Sequence, residues 1–115
     1  MEDKITPIRQ LIAKKQFERD GIREQIRTTE EAIYIDILNE SKDKEYAKEN
    51  NLTNEKGRDI ALRERLLPDD VYERLVNMMV VLTSDLETLS IDLERERNVL
   101  KIWYVEQLNN VGDKI

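Results

Sequence analysis

Between Pro68 and Gly112 the chain has neither proline nor glycine, and apolar side chains recur along this run at alternating steps of three and four residues. The seam reads Tyr72, Leu75, Met79, Leu82, Leu86, Leu89, Leu93, Glu96, Leu100, Trp103 and Gln107. That spacing keeps one face of an α-helix apolar and would scatter side chains over both faces of a strand. A helix over 70–111 therefore organises the chain. Asp70 followed by Glu73 suits a capping box at its start, and Gly112 suits its end.

Such a helix needs a partner for its seam, and residues 7–48 offer one. Thr6 and Pro7 suit a helix start, with Thr6 as the N-cap. From there Ile8, Ile12, Lys15, Arg19, Ile22, Ile26, Thr29 and Ile33 follow the same alternation, widened by Leu11, Ala32, Ile37 and Leu38. A helix over 7–48 would be about 60 Å long. Gly21, inside it, should cost about 1 kcal/mol relative to alanine. Between the long helices, Glu49 to Asn54 has the polar chemistry of a loop, and a short helix over 54–67 ends before Pro68.

The expected fold is all-α: an elongated antiparallel hairpin of two long helices with a short connector helix, one domain over 1–115. Three glycines, two prolines and 5% aromatic residues leave little basis for a sheet. If Ile33 lies opposite Met78 or Met79 and Ile12 opposite Val99 or Leu100, Lys15 falls opposite Glu96 and Arg19 opposite Asp92. These four residues then form a polar layer that selects the register.

The last helix is apolar over more than one stripe. Val76, Val80 and Val81 in one patch, and Val99, Ile102 and Val105 in another, exceed what a hairpin seam can bury. A second subunit is the expected cover, giving a homodimer or higher oligomer arranged as a helical bundle.

Composition excludes much chemistry. The chain has no cysteine and no histidine, so thiol nucleophiles, thiolate metal sites and imidazole bases are absent. Asp36, Glu40, Asp43, Asp69, Asp70 and Glu73 gather toward one end, but they do not reproduce the paired, lysine-supported motifs with which all-helical pyrophosphatases hold Mg²⁺. No enzyme activity and no cofactor are expected. The opening MEDKITPIRQ lacks the basic and apolar regions of a signal peptide, and no apolar run could span a bilayer, so the expected location is cytoplasmic with no membrane partner.

Net charge is −6, concentrated in residues 68–115, where ten acidic residues stand against five basic ones. Positions 4 to 27 are locally basic, and Lys14, Arg23 and Arg27 form the candidate nucleic-acid face. The acidic last helix offers the inverse role, a DNA mimic that occupies a nuclease.

The stretch from Leu52 to Leu108 resembles a group of small helical proteins encoded by bacteriophages and prophages. The residues that carry the likeness are Asn54, Glu55 and Arg58, then Leu62 and Leu66, Asp70 and Tyr72, and the Leu/Glu/Arg-rich run through Arg97. Gly57 and Pro68 depart from the group's pattern. The resemblance implies a mobile-element protein often found near single-strand annealing or recombination functions, with no catalytic residues to carry over. In physical terms, Asn54 and Arg58 read as a helix cap and a tie from the connector to a carboxylate on a long helix.

The function expected from all of this is a non-enzymatic protein-interaction or assembly module that self-associates through its C-terminal helix, with a host or viral protein as a further partner. The alternative is a nucleic-acid recombination accessory protein or a nuclease-directed DNA mimic.

Overall fold

The structure, a computed structural model, describes residues 2–113 as four α-helices joined by turns: α1 (Ile5–Glu40), α2 (Lys44–Glu49), α3 (Glu55–Leu66) and α4 (Asp70–Asp113). No strand occurs among the described residues. The chain divides into two compact units. One combines the described residues through Glu18 with those from Leu82 onward, and the other is Arg19–Val81.

The α1 helix begins before Thr6 because Asp3 supplies the cap: its Oδ1 accepts from the backbone N–H groups of Ile5 (3.0 Å) and Thr6 (3.1 Å). Hydrogen bonding to Thr6, through side chain and then backbone, holds the Asp3 carboxyl below the usual aspartate range. Pro7 falls in the first turn, where a missing N–H is tolerated.

The continuous helix expected over 7–48 is instead two helices. Ser41 Oγ donates to the Leu38 carbonyl (2.7 Å), and Asp43 Oδ1 accepts from the N–H groups of Glu45 (3.1 Å) and Tyr46 (3.2 Å). Short polar side chains offer the backbone partners outside the helical ladder, so α1 stops at Glu40 and α2 starts afresh.

A Schellman cap closes α2. Asn51 adopts a left-handed conformation (φ 58°), and the Leu52 N–H reaches back to the Ala47 carbonyl at 2.7 Å. This bend carries Leu52 into a hydrophobic cluster in which Ile37, Ala47 and Leu52 are buried together, with Ile33, Ala61 and Leu62 against them. Burying each large aliphatic side chain here contributes about 1.5–3 kcal/mol.

Asn54 caps α3, its Oδ1 accepting from the Gly57 N–H at 2.8 Å. Gly57 is required by space. A Cβ built on it would lie 1.8 Å from the Asn51 carbonyl oxygen.

The cap of α4 is Asp69 rather than Asp70: its Oδ1 accepts from the Tyr72 N–H at 2.9 Å, and its carbonyl accepts the Glu73 N–H at 3.0 Å. The residue at the third helical position is then Tyr72, so the reciprocal Glu73 contact of a capping box does not form. At its far end α4 passes through Gly112 to Asp113, beyond the expected stop.

Both apolar seams lie on the covered sides of the long helices. On α1, every seam position from Ile8 to Ile33 is buried or half-buried, and on α4 the same holds from Tyr72 to Trp103, while Gln107 is exposed. Ile22, Leu66, Leu75 and Leu82 join the buried set.

Candidate functional site

Within the unit built from the two ends of the chain, Lys15 Nζ lies 3.1 Å from Asp85 Oδ2. The pairing of Lys15 with Glu96 expected from apolar matching is replaced by one eleven residues earlier on α4. Eleven residues make about three helical turns, so the shift leaves the same α4 face toward α1. Consistently, Glu2, Asp3, Lys4 and Ile5 line a groove with Glu96 and Leu100. Asp92 accepts instead from Arg95 on its own helix (2.9 Å), and Arg19 is half-buried with its Nε unpartnered. Lys15 and Asp85 remain partly exposed, so their attraction is worth about 1 kcal/mol or less.

This register leaves the last three turns of α4 without a facing segment of α1 among the described residues. Beyond Leu100, Ile102, Tyr104, Val105, Leu108 and Val111 are each more than half exposed. Trp103 is half-buried and meets Tyr104 edge to face, centroids 5.1 Å apart. These apolar side chains point around the whole helix rather than along one stripe, a pattern characteristic of helices enclosed by other structure.

The six residues expected to form an oligomer interface lie as follows. Val76 is half-buried, while Val80, Val81, Val99, Ile102 and Val105 are exposed. Ile102 and Val105 share an outward stripe with Ile91, which is 66% exposed. Sequence reading missed Ile91 because it stands singly between Ser90 and Asp92, outside either apolar patch. Its signal was the eleven-residue interval that separates Val80, Ile91 and Ile102 and returns each to nearly the same outward face.

In the connector, Arg58 does not reach a carboxylate. Its Nη1 donates to the Leu52 carbonyl at 3.3 Å, and its Nε is buried without a partner. The tie to a long helix is made by Arg65, whose guanidinium pairs with Glu40; that hydrogen bond raises the Arg65 pKa. A second link in the same unit runs from Tyr72 Oη to Glu30 Oε1 at 2.9 Å. Burial first, then this bond, pushes the Tyr72 hydroxyl above its ordinary value.

On the basic face, Lys14 is exposed, Arg23 lies 3.9 Å from Asp20, and Arg27 pairs with Glu24 and lies 3.9 Å from Glu31. These contacts spend part of the positive charge within α1 itself. Glu30, Glu31, Glu55 and Asp59 line an open groove with Tyr34, Ile35 and Leu62. Among the described residues, no group of three or more acidic side chains is placed to hold a metal ion, and no helix is long and apolar enough to cross a membrane.

No family model, curated protein or solved structure matches the chain.

Proposed function

We propose that the chain is a non-enzymatic protein-interaction module in which α1 and α4 form an antiparallel hairpin, α2 and α3 close one end, and the outer side of α4 binds a second copy to give a helical bundle. The observation that carries this reading is the exposure of apolar side chains along α4 outside its seam: Val80, Val81, Ile91, Ile102, Val105 and Leu108 are 56–71% exposed. Isolated exposed aliphatics are ordinary, but Val80, Ile91, Ile102 and Val105 fall on one outward stripe of the helix, with Val81 and Leu108 exposed to either side of it, and exposed apolar side chains that share a face favour a surface that is covered in use. The likeness of the connector to bacteriophage proteins supports a viral or mobile-element setting. A nucleic-acid role draws less support, since Arg23 and Arg27 already have carboxylates beside them.

Mass action provides the test. If folding and association are linked, the thermal midpoint rises with protein concentration. A midpoint unchanged over a hundredfold concentration range, with reversible unfolding, would contradict the proposal.

A further inference from the structure

The outward stripe of α4 in the unit from Leu82 onward runs through Ile91, Arg95, Asn98, Ile102, Val105 and Asn109, in alternating steps of four and three, and all six side chains are exposed. It lies opposite the seam that faces α1. Lys101 and Glu106 are the only charged residues between Arg97 and Asp113, and they flank this stripe, one on each side of Ile102 and Val105. Five residues apart, they sit too far around the helix to meet each other. Neither has an ion-pair partner among the described residues.

We infer that the partner seated on this stripe is a second copy of the chain, aligned parallel and in register along α4. The inference rests on the self-association proposed above and adds its direction and contacts. In a parallel pair, the residue flanking one side of a helix meets, five residues further on, the residue flanking the opposite side of its neighbour. Lys101 of one copy then meets Glu106 of the other, and the two-fold axis makes the contact twice. An antiparallel pair centred between Ile102 and Val105 brings like flanks together, so in that alignment Lys101 would face Leu108 and Glu106 would face Val99, with both charges left against apolar side chains.

The remaining stripe residues accept the parallel arrangement. Ile91, Ile102 and Val105 each meet their own counterpart and bury it. Asn98 and Asn109 meet their copies as amides, which can donate and accept in the same pair. Arg95 also meets itself, but its guanidinium is already hydrogen-bonded to Asp92 at 2.9 Å, which offsets the like-charge contact.

The chain has no cysteine, so Ile91→Cys installs a single thiol at an exposed position. Mild oxidation of this variant should give a disulfide-linked dimer, because the in-register parallel alignment puts the two thiols side by side. An antiparallel pair centred between Ile102 and Val105 would hold them about 37 Å apart. Lys101→Glu should weaken dimerisation about tenfold, the combined effect of two exposed ion pairs turned repulsive. Lys101→Glu with Glu106→Lys should restore it.

A dimer that forms without the Ile91→Cys crosslink overturns the parallel alignment and leaves self-association standing. A chain that stays folded and monomeric overturns both. A Lys101→Glu variant that dimerises like the parent overturns the assigned ion pair.

Discussion

Lys15 Nζ meets Asp85 Oδ2 at 3.1 Å, not Glu96, and that one contact decides how much of α4 is left uncovered. Had Lys15 faced Glu96, the N-terminal part of α1 would lie along the apolar residues from Val99 to Val105. With Asp85 as the partner, Leu100 still lines a groove with Ile5, and the apolar residues beyond Leu100 extend past that part of α1.

Chemical crosslinking reads this register directly. Cysteines introduced at positions 15 and 85 should be joined within one chain by a short bis-maleimide, whereas cysteines at 15 and 96 should not, since the two α4 positions are about 16 Å apart along the helix. Efficient joining of 15 with 96 and failure with 85 would reinstate the alternative register.

Two glycines predict opposite responses to alanine. At Gly57 a Cβ would meet the Asn51 carbonyl oxygen at 1.8 Å, so Gly57→Ala must displace the α2–α3 connection and should cost about 1–3 kcal/mol. At Gly21 a Cβ meets nothing within 4 Å, so Gly21→Ala should stabilise α1 by about 1 kcal/mol. Urea denaturation of both variants checks the pair, and equal effects of one sign would contradict the packing described around Asn51.

The Tyr72–Glu30 bond carries a pH dependence. Burial and the Glu30 carboxylate raise the Tyr72 pKa above its ordinary 10.0, so the neutral hydroxyl is favoured in the folded protein. The stability this provides is complete below the ordinary tyrosine value and is lost as pH rises through the raised one. Tyr72→Phe should lower stability near neutral pH by about 1 kcal/mol and remove this part of the alkaline loss. Thermal melts near neutral pH and above about 10 measure both effects. An unchanged alkaline slope in the variant would show that Tyr72 is not the titrating group.

How far these features could be read in advance follows from their physical range. The seams of α1 and α4 were legible because a repeat of 3.5 residues appears in the sequence itself, and the side chains from Ile8 to Ile33 and from Tyr72 to Trp103 are covered accordingly. Their register was not, because an eleven-residue slide along α4 returns nearly the same face and apolar matching cannot tell the two alignments apart. The break between α1 and α2 depends on Asp43 choosing to cap rather than continue a helix, a competition that a single polar residue decides locally. Asp69 and Asp70 are both competent caps, and only the backbone after Pro68 selects the first. Arg58 settles on the Leu52 carbonyl because the bend at Asn51 turns that oxygen within its reach, a geometry without a spacing signature.

The central claim is that the uncovered side of α4 binds another copy of the chain. Sedimentation equilibrium over the micromolar range tests it most directly, with the parent beside a variant carrying Ile102→Lys and Val105→Lys. Both positions are exposed in the single chain, so the variant should keep its helix content. The account predicts a parent mass of two chains or more that falls toward one on dilution, and a variant that sediments as one folded chain throughout. A parent that remains a folded monomer at every concentration would contradict it.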